Sequence, residues 1–303
     1  MGFLSEVKTG LTKEPMFALI YGVPGIGKST LASEFPDPLF FGDSMESAKL
    51  NVARGPEPKT MDEVRAFLDE VLEAKSFKYK TLVFDNLGWF EPLPWAEICK
   101  KENKKSIDDI GWQNGYKMAV VRHQEVVETL KEIRKKQKVD VIVLGHSRIK
   151  NFSDPAISST YDKYQISINE QAENVWVRSV EAVLFMNYEI LKADESKKFA
   201  QGEGIRYMYT QERPAFKAKN RYGLPFKILM PKGESYKALM SAIQAGEPES
   251  APTLASEIEG LLLSVKDPDL VTKVKSALEK AGKDAVKLTA IKDRLLSVIG
   301  GEK

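Results

Sequence analysis

Gly22-Val23-Pro24-Gly25-Ile26-Gly27-Lys28-Ser29, with Thr30 after it, is a complete G-x-x-x-x-G-K-S phosphate-binding loop. Its setting carries the reading. The apolar run Met16-Phe17-Ala18-Leu19-Ile20-Tyr21 before it reads as a buried strand, and Thr30-Leu31-Ala32-Ser33-Glu34 opens a helix. That is the strand–loop–helix context the motif requires. Glycines let such a loop curl until its backbone N–H groups converge on phosphate, and a helix start adds partial positive charge. Gly22 to Thr30 are therefore expected to cradle the phosphates of ATP. Lys28 would reach the β- and γ-phosphates, and the Ser29 hydroxyl would hold Mg²⁺. The bland alternative, a Gly-rich turn before an ordinary helix, does not account for the flanking strand.

Outward from the loop, residues 16–230 alternate short apolar runs with longer amphipathic stretches, the rhythm of a mostly parallel sheet. Strands are predicted at 16–21, 38–42, 80–85, 139–145, 180–190, 205–210 and 225–230. A helix over 60–75 opens on the capping box Thr60-Met61-Asp62-Glu63 and carries Val64, Phe67, Leu68, Val71 and Leu72 on one face. A longer helix covers 111–137, preceded by a solvated polar stretch, Lys100 to Lys105. The core is expected to span 1–245. A linker follows over 246–253, rich in Gly, Pro and Glu, and a small helical appendage over 254–303. Its patterns carry Leu254, Ile258, Leu261, Leu262 and Val265, then open at Asp267-Pro268, then resume after Gly282.

The second half of a nucleotide site is also legible. Lys80-Thr81-Leu82-Val83-Phe84-Asp85-Asn86 is a buried strand ending in an acid, the Walker B pattern. Asp85 is expected to hold the Mg²⁺ shell from a strand next to the P-loop strand. Sites that polarise water from the residue after that acid carry glutamate there, whereas this chain has Asn86. The base must come from elsewhere. The strand Pro38-Leu39-Phe40-Phe41 ends Gly42-Asp43-Ser44-Met45-Glu46. The site resembles that of the RecA-like class, which takes its base from the end of the strand after the P-loop helix, where a carboxylate can reach a water beside the γ-phosphate; that resemblance implies Glu46, with Asp43 as competitor. Solvation, or capping of the next helix, is the alternative for both. Val139 to Leu144 form another strand, ending Gly145-His146-Ser147. His146 would lie near the γ-phosphate if this strand neighbours the Walker B strand; otherwise it bonds a loop carbonyl. His123, inside a helix, reads as structural.

Composition narrows the class. The chain has 303 residues, 43% hydrophobic and 29% charged, with net charge +2, so any basic surface is local. No apolar run approaches a membrane span. Met1 to Glu6 lack a signal-peptide pattern, and Glu6 stands where myristoylation needs Ser or Thr. Cys99 is the single cysteine, which excludes an intrachain disulfide and a cysteine metal cluster. A cytoplasmic location is expected.

Read with three downstream segments, these elements resemble the phage RecA-like ATP-binding proteins, a phage AAA-domain family that includes single-strand-annealing recombinases. The segments are His146-Ser147 with the loop Arg148 to Pro155; Tyr161-Asp162-Lys163-Tyr164-Gln165-Ile166 with the strand Ala182 to Tyr188; and Glu212 to Pro225. The resemblance covers about residues 16–230 and implies an α/β, RecA-like P-loop NTPase core. It is carried by order and spacing. It implies that Lys219 and Arg221, in Lys219-Asn220-Arg221 followed by Pro225-Phe226, reach across a homo-oligomer interface to a neighbour's ATP. Cations there would stabilise charge developing at the γ-phosphate. A surface basic hairpin is the alternative. The loop after His146 would correspond to a DNA-binding loop, with Arg148, Lys150 and Lys163 tracking phosphates and Phe152, Tyr161 and Tyr164 stacking on unpaired bases. The implied function is an ATP-dependent protein that binds single-stranded DNA for annealing or recombination in a bacterial host cell. It would hydrolyse ATP at subunit interfaces in a ring or filament. The C-terminal helices would be free to bind a single-strand-binding protein. A helicase-like motor or loader, and an ATP-gated scaffold with little turnover, are the other readings.

Overall fold

The computed structural model describes residues 14–153, 160–189, 204–246, 258, 262, 268–281 and 285–300. It divides into two units, Met1–Gly246 and Glu247–Lys303.

The P-loop strand β1 (Phe17–Gly22) is buried at every residue, as a parallel strand covered on both faces must be. After it come α1 (Lys28–Ser33), β2 (Pro38–Gly42), α2 (Ser44–Ser47), β3 (Ala53–Arg54), α3 (Met61–Glu73), β4 (Thr81–Asp85), α4 (Leu87–Phe90), α5 (Pro92–Lys101) and α6 (Asn114–Gln137). The second half runs β5 (Asp140–Phe152), β6 (Tyr161–Ile166), α7 (Glu170–Ser179), β7 (Ala182–Tyr188), β8 (Arg206–Tyr209), β9 (Lys227–Leu229) and α8 (Ser235–Gly246). The sheet order is β3-β2-β4-β5-β1-β7-β8-β9, with β6 on the distal half of β5. Strands β3, β2, β4, β5, β1 and β7 are parallel; β6, β8 and β9 pair antiparallel. This is an α/β P-loop core with a mostly parallel sheet flanked by helices.

Strand alternation assigns the two layers. Phe17, Leu19 and Tyr21 pack with Val64 and Leu68 of α3, Phe90 of α4, Val127 and Leu130 of α6 and Trp176 of α7. Ala18 and Ile20 pack on the other face with Leu31 of α1 and Leu239 of α8. The Thr60 side chain accepts from the Glu63 N–H, and α3 begins at Met61 as the capping signal predicts.

Two expectations are corrected. The Walker B strand β4 does not neighbour β1, because β5 lies between them, paired Gly22↔His146 on one side and Thr81↔Asp140 on the other. The apolar run Val141 to Leu144 is fully buried, so it takes the sheet centre, where both neighbours cover it. In addition, β5 does not stop at 145. It runs on to Phe152 and folds back through β6 as a hairpin, where local sequence predicts a loop. The polar stretch Arg148-Ile149-Lys150-Asn151 carries no strand signal; cross-strand pairing imposes one. Elements α5, α7 and α8 are also unmarked by the sequence periodicity above, and Lys100 and Lys101 belong to the last turn of α5.

His123 is structural, as expected. It is buried, and its Nδ1 accepts from the Trp176 Nε1–H at 2.9 Å. An indole N–H can only donate, so the His123 proton sits on Nε2, which is buried without a partner. Burial lowers its pKa to about 4. The unfolded chain, near 6.5, therefore binds the extra proton between pH 6.5 and 4, and stability present above pH 6.5 is lost as pH falls through this window. The His123 contribution to this loss is about 3 kcal/mol. Asp85, raised to about 7, shifts stability the opposite way over the same range, so the check is the difference between wild type and His123→Gln in denaturant titrations at pH 7 and pH 4.5: the variant, which keeps an acceptor for Trp176, should lack close to one proton of the His123 slope.

In the second unit, helices span Pro268–Ala281 and Ala285–Gly300, the first starting at Pro268 as predicted, while Gly282 lies outside the described residues. Ile258, Leu262, Ala281, Leu288 and Leu295 form their buried cluster. Residues 247–253 of the proposed linker, and Leu254, Leu261 and Val265, lie outside the described residues. Among the described residues no helix is long and apolar enough to cross a membrane.

Candidate functional site

Parallel register gathers the site at one end of the sheet. Gly22 lies opposite His146, and Gly42 opposite Asp85, so the P-loop, the Asp43–Glu46 turn, Asp85 and His146 all emerge at the C-terminal strand ends. That crevice is where open α/β sheets bind ligands. Gly22 is needed for packing as well as curl: a Cβ there would lie 2.2 Å from the Met186 carbonyl oxygen.

Within the loop, Lys28 is buried, and its Nζ donates to the Gly22 and Val23 carbonyls at 3.1 and 3.2 Å. Burial pulls the ammonium below its ordinary range, opposed by the Glu46 and Asp85 carboxylates. Ser29 Oγ donates to Asp85 Oδ2 at 3.0 Å. Asp85 is buried at the end of β4, and desolvation raises it to about 7 against the Ser29 hydrogen bond; Glu46 adds to the rise and Lys28 opposes it. A carboxylate beside a hydroxyl is a hard-oxygen donor pair that suits Mg²⁺, and a cation there would hold the carboxyl ionised against its burial. Among the described residues no group of three or more His, Cys, Asp or Glu could hold a metal. A cation between Ser29 and Asp85 would therefore take its remaining ligands from phosphate and water.

A chain of contacts leads out from Lys28. Its Nζ is 3.5 Å from His146 Nδ1, and His146 Nε2 is 3.2 Å from Glu46 Oε1. With the proton on Nε2, the ring accepts from Lys28 and donates to Glu46. Asp43 has a different occupation: its Oδ1 accepts from the Met45 N–H at 2.9 Å and caps α2, the capping alternative that its sequence position leaves open. Asn86 caps α4 through Gly88 and Trp89 N–H groups at 2.8 and 3.1 Å, and its Nδ2 lies 3.5 Å from His146 Nε2. This proximity is invisible locally, because only the adjacency of β4 and β5 brings Asn86 to His146. Tyr188 on β7 is likewise unmarked in the sequence. Its hydroxyl donates to the Gly25 carbonyl at 3.3 Å, and no motif points to it.

The hairpin sorts its residues by register. Arg148 opposes Gln165, Lys150 opposes Lys163 and Phe152 opposes Tyr161. Directly opposed residues share a face, so five of the six expected DNA contacts lie together. Tyr164 is on the other face, with its ring 5.1 Å from Phe185. Lys163 departs from the expectation of a solvent-facing cation. It is buried, paired with Glu212 at 2.9 Å and over the Phe152 ring at 5.3 Å. Lys150 is exposed and paired with Glu170 at 2.8 Å.

Lys219 and Arg221 stand apart from this cluster. Lys219 bridges to Val183 near the start of β7, and its Nζ donates to the Val177, Arg178 and Val180 carbonyls at 3.0, 3.2 and 2.8 Å. It caps the end of α7 at the strand-start end of the sheet, so it does not serve its own P-loop. Arg221 beside it is exposed.

No curated protein matches the chain. The crystal structure of the RadB recombinase aligns with a TM-score of 0.39 at 12% identity, over 72% of this chain and 89% of that chain. The AAA domain family matches residues 14–222, which include the P-loop, Asp85, His146, the hairpin and the Lys219–Arg221 segment. With more than half of its length matched, and with the P-loop and the Walker B acid assembled at one crevice, the chain belongs to the AAA domain family.

Proposed function

We propose that this protein binds ATP·Mg²⁺ at the P-loop, hydrolyses it within a homo-oligomer and engages single-stranded DNA through the β5–β6 hairpin for annealing or recombination. The observation that carries the reading is the contact chain Lys28–His146–Glu46. It joins the phosphate loop, a carboxylate and the base of the hairpin through one imidazole.

Ser29 and Asp85 would hold Mg²⁺, which neutralises charge on the phosphate oxygens. Lys28 would exchange the Gly22 and Val23 carbonyls for β- and γ-phosphate oxygens. Glu46 would take a proton from the attacking water. The oxygen–phosphorus bond to the γ-phosphate forms as the bond to ADP breaks, with ADP and phosphate as products. His146 positions Glu46 and senses whether Lys28 is occupied by phosphate. Since β5 continues from His146 into Arg148 and Lys150, a change there biases the hairpin directly. Arg221, and Lys219 once released from α7, would complete a neighbour's site from the opposite sheet end.

The test is binding of labelled oligonucleotides with and without ATP, alongside annealing of complementary strands and ATP turnover. Arg148→Ala and Lys150→Ala should each reduce the slope of log affinity against log salt by about 0.7, one phosphate contact on a single strand. A wild-type protein that ignores single-stranded DNA at low salt overturns the recombination reading. ATP binding with negligible turnover, with or without DNA, favours the scaffold. Strand displacement favours the motor.

A further inference from the structure

Arg206 is a cation at the phosphate loop that no motif announces. It pairs with Tyr188 across β7 and β8, two residues beyond Met186, which lies opposite Gly22. It therefore emerges at the same sheet end as the P-loop. Met208, on the same face of β8, packs in the cluster that holds Ile26 and Leu31, so the Arg206 side chain lies on the layer that carries the loop and α1. Its Nη1 donates to the Ile26 carbonyl at 3.2 Å. A Cβ on Gly27 would sit 2.4 Å from that same Nη1. Gly27 has φ 101, the left-handed backbone that turns the loop into the Lys28 helix. The guanidinium thus fills the space that a side chain on the glycine directly before the motif lysine would need. Its Nη2 is buried and has no acceptor. Among the described residues, no carboxylate forms a salt bridge with it.

A buried guanidinium N–H without an acceptor is rare and calls for a partner. The backbone of a loop with this motif converges on α- and β-phosphate oxygens, and a guanidinium fork suits two such oxygens. We infer that Arg206 is a phosphate ligand supplied in cis from β8, binding the α/β-phosphate end of the nucleotide through the Nη2 that is unpaired in the free protein. It rests on the P-loop reading above and adds a residue to that site. It also separates two sets of cations. Arg206 grips what ATP and ADP share, whereas Lys219 and Arg221 would act at the γ-phosphate.

The test is the affinity of the full chain for ATP·Mg²⁺, ADP·Mg²⁺ and AMP by calorimetry, with apo melting temperatures, for wild type, Arg206→Met, Arg206→Lys and Lys28→Ala. Arg206→Met should weaken ATP and ADP by the same factor, about ten- to hundredfold, with the apo melting temperature close to wild type, because the lost Nη1–Ile26 hydrogen bond is offset by removal of the unsatisfied Nη2 donor and the apolar bulk is kept. Arg206→Lys should recover part of the loss as a point charge. Wild-type affinity in Arg206→Met overturns the inference. So does a loss confined to ATP, or a loss matched by a lower apo melting temperature, which would make Arg206 a brace for the loop. A wild type that binds no nucleotide, or Lys28→Ala with unchanged affinity, instead overturns the P-loop reading itself.

Discussion

Lys28→Ala should weaken nucleotide binding about a hundredfold or more. The ammonium is buried at the centre of the loop, 3.1 Å from the Gly22 carbonyl and within reach of His146. It would make two or more charge-assisted hydrogen bonds to phosphate, each about 1.5–3 kcal/mol. The expected loss is about 3 kcal/mol or more, a hundredfold or greater in affinity. A ligand present at about a hundred times its dissociation constant stabilises the native state by about 2.7 kcal/mol. The ATP-dependent rise in melting temperature should therefore be present in the wild type and absent in the variant, and calorimetry should register the same loss of binding. An undiminished ATP-dependent shift in Lys28→Ala would place the nucleotide somewhere other than this loop.

Glu46→Gln should leave binding intact and remove turnover. The amide keeps an oxygen for the His146 Nε2–H, which Glu46 accepts at 3.2 Å, so the local geometry has a substitute partner. What is lost is the proton acceptor, and general-base catalysis contributes about 10²–10⁴-fold. Steady-state phosphate release should fall by that factor, with ATP affinity within about threefold of wild type. Asp43→Asn is the matched control. Asp43 spends its carboxylate on the Met45 N–H at the start of α2, and asparagine is an equally good cap. It should retain most turnover. The reverse pattern, an active Glu46→Gln and a silent Asp43→Asn, would make Asp43 the base.

These two residues illustrate how far the sequence reaches. The P-loop is legible because its chemistry is local. Eight consecutive residues supply the curl, the donors and the cation, and the flanking run is apolar enough to be a central strand. Asp85 is legible for the same reason, as the acid ending an apolar run. The ambiguity between Glu46 and Asp43 is not resolvable from sequence, since both lie within five residues of one strand end. The fold separates them by orientation, turning Asp43 back onto its own helix start and Glu46 towards His146. The expectation that Lys163 faces solvent fails in a related way. Composition marks a lysine as solvent-seeking, yet the antiparallel partner and Glu212, 49 residues onward, enclose it.

The sequence by itself determined that the chain folds as a P-loop α/β protein, that Lys28, Ser29 and Asp85 are the residues to look for at one crevice, and that a helical segment follows the core. Each of these rests on short-range periodicity and backbone chemistry, which neighbouring residues specify. Tertiary structure alone decided that β5 separates the P-loop strand from the Walker B strand. It also decided that His146 bridges Lys28 and Glu46, that Lys219 caps α7, and that Arg206 crosses from β8 to Gly27. These depend on strand order and on which register positions meet across the sheet. Hydrogen bonding between parallel strands is indifferent to how far apart in the chain its partners lie, so sequence distance carries no record of them.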